Sequence, residues 1–171
     1  MSYNVIAYQV DAEKVKAVWG SKDQQFLDRF LSKYRDEIAG QEEELDVKGY
    51  AACMVTIING TSTNEDDEDN FIYGYLYEML CQEFGEMVRH DDFLDIMEDV
   101  TPSNHKAFIP IPKNDDWPEF YSVPLEELEQ GRQVFLGSDE PYTKETSYIE
   151  TVNFIFDTAV QNHKTLVFFG Y

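Results

Sequence analysis

Residues Thr165-Leu166-Val167-Phe168-Phe169 leave no polar position after the threonine to face water, which predicts a strand in the centre of a sheet. Such a strand needs neighbours on both sides. Tyr3 to Val10 supplies one, with Val5, Ala7 and Gln9 on one face and Ile6 and Tyr8 on the other. Phe120 to Val123 is a second short extended piece. Ala107-Phe108-Ile109-Pro110-Ile111-Pro112 reads as another, confined by its prolines to an edge or a strand end.

Helical signals fill the spaces between. Asp11 caps a short helix, Ala12 to Trp19, closed by Gly20. Ser21-Lys22-Asp23-Gln24 reads as a capping box, opening a helix with Phe26, Leu27, Phe30, Leu31 and Tyr34 on one stripe and its stop at Gly40. Val47, Tyr50, Ala51, Met54 and Ile58 fall at helical spacing before Asn59-Gly60, and a loop runs from Gly60 to Asn70. The stretch from Phe71 to Phe84 carries aromatics at alternate positions, yet its length and its face of Ile72, Leu76, Met79, Leu80 and Phe84 favour a helix ending at Gly85. Asp91 or Asp92 caps a further short helix ended by Pro102. Pro124 is expected at N1 of a helix over Leu125 to Glu129, with acids in its first turn. Tyr142 to Asn162 reads as a long helix, its apolar face made by Tyr148, Ile149, Val152, Ile155, Phe156 and Val160.

The expected fold is therefore α+β, a single domain over residues 1–171. A small mixed sheet joins the N-terminal strand, the strands of the last third and the C-terminal strand, and several helices pack on it. One core is expected from Phe26, Phe30, Leu76, Leu80, Val152, Ile155, Phe156, Val167 and Phe169.

Charge narrows the partners. Residues 1–40 carry six acids (Asp11, Glu13, Asp23, Asp28, Asp36, Glu37) and six bases (Lys14, Lys16, Lys22, Arg29, Lys33, Arg35), whereas the whole chain has 34 acids against 13 bases and a formal net charge of −21. Such a surface repels phosphate backbones and anionic lipid and attracts basic proteins, so direct nucleic-acid binding is excluded and a basic protein partner is expected. With 43% apolar and 15% aromatic residues the chain is too apolar to be a disordered acidic tail. No leader-like segment and no apolar stretch near the ~20 residues of a bilayer span appears, so the expected location is the cytoplasm, without membrane contact. Cys53 and Cys81, both in apolar runs, read as small core residues rather than a disulfide or a metal pair.

The motifs carry little catalytic chemistry. Glu65-Asp66-Asp67-Glu68-Asp69 is five carboxylates in a row, but the glycine and glutamate of a calcium loop are not in place, so a solvated acidic loop is expected. Asp91-Asp92-x-x-Asp95 would share a helix face, and an N-capped wet helix accounts for it. His90, His105 and His163 lack metal-binding spacing, and no phosphate loop or nucleophile elbow is present. No catalytic residue, metal ligand or cofactor is therefore assigned. Asn114-Asp115-Asp116-Trp117-Pro118-Glu119-Phe120-Tyr121 interleaves aromatics with acids, a composition suited to a protein-binding anchor or to rings tucked under a loop.

Tyr73-Gly74-Tyr75-Leu76-Tyr77-Glu78-Met79-Leu80-Cys81, Trp117-Pro118-Glu119-Phe120-Tyr121 followed by Leu125-Glu126-Glu127-Leu128, and Leu166-Val167-Phe168-Phe169 together resemble an uncharacterised bacterial domain family. Its members are similar also in their Ser-Tyr-rich first strand and in a turn like Gly20-Ser21-Lys22-Asp23. The resemblance implies the order of elements and a bacterial origin, and many acidic bacterial domains of this size are immunity proteins that neutralise toxins.

The expected function is accordingly that of an acidic intracellular bacterial protein binding a basic macromolecule, an immunity-type toxin neutraliser being the specific case. The expected partner-binding residues are Asp66, Asp67, Asp69, Asp115, Asp116, Trp117, Phe120 and Tyr121. Two other readings stand beside it: a small hydrolase-like or metal-dependent enzyme using clustered carboxylates, and a self-associating subunit. Residues alone leave the oligomeric state open.

Overall fold

The computed structural model describes residues 5–61, 70–91, 107–112, 118–137 and 141–171. β1 (Val5–Val10) runs into α1 (Ala12–Val18), α2 (Gln24–Lys33), α3 (Arg35–Glu44), α4 (Tyr50–Asn59) and α5 (Phe71–Glu83). β2 (Gly85–Asp91) and β3 (Glu119–Val123) follow, then a 3₁₀ turn (Leu125–Glu127), α6 (Leu128–Leu136), a second 3₁₀ turn (Pro141–Lys144), α7 (Thr146–Asn162) and β4 (Thr165–Gly170).

The four strands lie in the order β2-β1-β4-β3. Every pairing is antiparallel, so the sheet is not mixed. β4 is central as its composition predicts, between β1 and β3, with Ile6 opposite Phe169 and Tyr121 opposite Phe168.

Strand alternation divides the expected single core in two. Tyr8, Val10, Phe120, Val167 and Phe169 point to a layer built from α1, α2, α4 and α5, where Phe26, Phe30, Leu76 and Leu80 also lie. Val5, Ala7, Val123, Leu166 and Phe168 point the other way, onto Val152, Ile155 and Phe156 of α7 and Phe135 of α6. The nine residues expected in one core are all buried, but a sheet with helices on both faces cannot let them meet.

Several local expectations hold. Asp11 caps α1 by accepting from the Lys14 amide, α4 closes at Gly60, and Phe71–Glu83 is helical. Others are corrected. The cap of α2 is Asp23, which accepts from the Phe26 amide at 2.9 Å, not Ser21. The helix expected to stop at Gly40 breaks at Tyr34 and continues as α3 through Gly40 to Glu44. Gly40 does not take the left-handed conformation through which a glycine ends a helix. Ala107–Pro112 is irregular chain rather than a strand. Pro124 precedes a 3₁₀ turn, and the α-helix begins at Leu128 and runs on to Leu136. The long helix starts at Thr146, not Tyr142, and its Ile149 and Val160 face solvent while Ala159 takes a core position.

β2 is the unexpected strand. Asp91 is its last residue, and the helix expected from a cap at Asp91 or Asp92 to Pro102 lies outside the described residues. Its residues Glu86, Met87, Arg89, His90 and Asp91 hide any apolar alternation, as suits an edge strand. Gly85 starts it at a backbone crossing. A Cβ there would sit 2.4 Å from the Gln9 carbonyl oxygen and 2.7 Å from that of Cys81. Neither backbone atom yields cheaply, so Gly85→Ala is expected to destabilise the fold by about 3 kcal/mol. Urea unfolding measures this, and a loss under about 0.5 kcal/mol would show that the backbones at this crossing part easily.

Candidate functional site

Of the residues singled out for partner binding, Asp66, Asp67, Asp69, Asp115, Asp116 and Trp117 lie outside the described residues. Phe120 and Tyr121 are adjacent in β3 and therefore leave opposite faces of the sheet. Phe120 is 7% exposed, with its ring centroid 5.1 Å from Tyr77 and 6.1 Å from Phe169. It closes the core and offers no surface to a partner. Tyr121 is half-buried, 6.2 Å from Phe135, and lines a groove.

That groove encloses about 420 Å³. Ala107 and Phe108 form one wall, with Lys16 of α1 beside them. Glu127, Gln130, Gly131 and Val134 form the other, and Tyr121, Ser122 and Pro124 join the two. Its walls are positioned by buried contacts. The Tyr77 hydroxyl shares a hydrogen bond with Ser122 Oγ at 2.9 Å and accepts from the Phe108 amide at 3.1 Å, pinning the irregular segment beside β3. On the other side Gly131 lets α6 approach closely, because a Cβ there would lie 2.7 Å from Val123 Cγ1. Burial, and then the negative charge of Glu127, raises the Tyr121 pKa, so its hydroxyl stays neutral and available as a hydrogen-bond donor.

A second cluster lies inside the domain. Glu78 of α5 is only 6% exposed. Tyr8 donates to its Oε1 at 2.8 Å, Tyr171 donates to its Oε2, and Gln82 donates in turn to the Tyr8 hydroxyl at 3.3 Å. No ion pair joins Glu78 to a basic group among the described residues. Burial, chiefly, pushes its pKa up to about 7; Glu37 adds to the rise, and the Tyr8 and Gln82 contacts oppose it. Cys81, wholly buried one helical turn on, has its thiol pKa raised by the same burial and by Glu78. No motif in the sequence marks Glu78 as a site residue. Its one signal was a lone carboxylate within the otherwise apolar stretch from Phe71 to Cys81.

A polar groove of about 480 Å³ runs past Gln9, Lys14, Glu86 and Lys164. Its charges are largely met from within. Lys14 and Lys164 both approach Asp11, at 3.6 and 3.5 Å, and Gln9 donates to Glu86 while accepting from Asn162. Among the described residues no three His, Cys, Asp or Glu side chains converge as a metal site, and no helix is long and apolar enough to cross a membrane.

Helices on both faces of a four-stranded antiparallel sheet, with a groove beside the edge strand β3, define an α+β domain. The chain belongs to the family described as Domain of unknown function (DUF7691), which matches residues 1–171. No curated protein and no solved structure matches it at a significant level.

Proposed function

We propose that this is a protein-binding domain whose acidic surface engages a basic protein. The observation that carries this reading is the groove beside β3. It combines an apolar lining (Ala107, Phe108, Pro124, Val134) with the half-buried Tyr121 and the acid Glu127. An aromatic in that setting can anchor a partner, and the net charge of −21 would steer a basic one toward it. Asp66, Asp67, Asp69, Asp115, Asp116 and Trp117 extend the same chemistry along the chain. In its most specific form the domain works in a bacterial cytoplasm and neutralises a basic toxin by occupying it.

The enzyme reading finds partial support in Glu78, a buried carboxyl with a raised pKa, but neither described groove is lined by it. Self-association would draw on exposed apolar side chains, among them Val55 on α4, Met87 on β2 and Ile149, Phe154 and Val160 on α7.

The test is capture from an extract of the native cell, identified by mass spectrometry. Wild type is compared with Tyr121→Ala and with a variant carrying Asn at Asp66, Asp67, Asp69, Asp115 and Asp116. Wild type is expected to hold a basic protein that both variants lose, with association slowing as salt rises. Capture of one and the same set by all three overturns the reading and leaves the charge as a solubility device.

A further inference from the structure

The polar groove past Gln9 and Glu86 pairs most of its charges, but not all. Lys14 of α1 and Lys164, just before β4, both approach one oxygen of Asp11, Oδ2, at 3.6 and 3.5 Å. The other oxygen, Oδ1, accepts from the Lys14 amide as the cap of α1. One carboxylate thus faces two ammonium groups, each with three donors, and a positive charge is left over. Across the groove, Glu86 lies opposite Gln9 and accepts from its side-chain amide at 3.2 Å. No ion pair joins Glu86 to a basic group among the described residues. Glu83, which also lines the groove, is by contrast met by Arg29 at 3.5 Å and Lys33 at 2.5 Å. Strand register sets the distance between the two unpaired charges. The Asp11 amide donates to the Phe84 carbonyl at 3.0 Å, so the β1–β2 pairing runs one step past Val10 and Gly85. Asp11 therefore stands two residues along and one strand across from Glu86, about 8 Å away from backbone to backbone.

We propose that this groove binds a free polar α-amino acid, its carboxylate on Lys14 and Lys164 and its ammonium on Glu86. The two charges of such a ligand lie about 3 Å apart, and a charge-assisted hydrogen bond of about 2.8 Å at each end completes the span. The net charge of −21 repels a plain anion, whereas a zwitterion has no net charge to be repelled and satisfies both unpaired groups. The ligand's own side chain would lie against the amides of Gln9 and Asn162, which bond each other at 2.8 Å. A small polar group suits them, because Phe84 is the one apolar side chain among the described residues lining the groove. The site is distinct from the β3 groove and does not depend on the protein-binding reading.

The full chain is titrated with L-serine, L-serinamide and N-acetyl-L-serine while the side-chain amide signals of Gln9 and Asn162 are followed by NMR. L-Serine is expected to shift both signals saturably, with half-saturation at about 1 mM or below. Serinamide lacks the carboxylate and N-acetylserine lacks the ammonium, so each is expected to bind about tenfold more weakly. Lys164→Gln and Glu86→Gln change side chains that are not buried, and each is expected to weaken serine by about tenfold. Glu86→Gln should leave N-acetylserine within about twofold of its affinity for the wild type, since that probe has no ammonium to lose. Absence of a saturable shift with serine overturns the proposal, as does serinamide binding as tightly as serine. N-Acetylserine binding as tightly as serine would make this a plain anion site, and that result overturns it too.

Discussion

At pH 8 the Glu78→Gln variant is expected to exceed the wild type in stability by about 3 kcal/mol, and at pH 5 by only about 1 kcal/mol. The cause is a carboxyl pKa carried from about 4.3 in an unfolded chain to about 7 in the fold, chiefly by burial. The folded state thus holds this proton more tightly than the unfolded one. The stability due to Glu78 is fully present below the unfolded pKa and declines as pH rises through about 7, above which it is level. Glutamine cannot ionise, and its amide oxygen can still accept from Tyr8 while its amide nitrogen faces Tyr171. The Tyr8 pKa is itself raised far out of range by burial and by Glu78, so the phenol does not titrate in this window. Urea unfolding of both proteins from pH 5 to 8 measures the difference, which cancels the repulsion common to both chains. Parallel pH profiles would mean that Glu78 is ionised throughout, with a compensating charge close by.

Removing residues 165–171 is expected to abolish cooperative unfolding altogether. β4 is bonded to both β1 and β3, so its loss strips β3 of its described partner strand and leaves β1 with β2 alone. It also opens both cores at once. Val167 and Phe169 fill one, where Phe169 lies 5.7 Å from Tyr77; Leu166 and Phe168 fill the other, where Phe168 lies 4.7 Å from Phe135. Each such side chain contributes about 1.5–3 kcal/mol by burial, and four of them rival the about 5–15 kcal/mol by which a typical domain is stable. Scanning calorimetry should show no unfolding peak. A truncated chain that still melts cooperatively within a few degrees of the parent would refute the central role of this strand.

Features of the fold that depend on neighbours in sequence were legible. The run from Leu166 to Phe169 marks its own burial on both faces, and Asp11 and Asn59-Gly60 mark helix ends through their own side chains or backbone freedom. The alternation of Val5 and Ala7 against Ile6 and Tyr8 fixes two faces for β1, because the strand period is two. The helix over Phe71–Glu83 was legible from length and period despite its strand-like aromatics. β2 was not: an edge strand with one face in water carries charges where a core strand carries valine, so composition does not set it apart.

The candidate site divides along the same line. Tyr121 belongs to a composition that invites a partner, and it does line the groove. Its neighbour Phe120 shares the composition but turns into the core, a consequence of which face of β3 meets α5. Glu78 acquires its raised pKa only because α5 lies across β1 and brings Tyr8 and Tyr171 onto it from 70 and 93 residues away. The central strand, several helix boundaries, the apolar positions and the acidic balance are legible from residue type and local period. Tertiary contacts set the antiparallel order, the two cores and the buried carboxyl. Those follow from which distant segments become neighbours, and that choice is made by packing summed over the whole chain rather than by any one stretch of it.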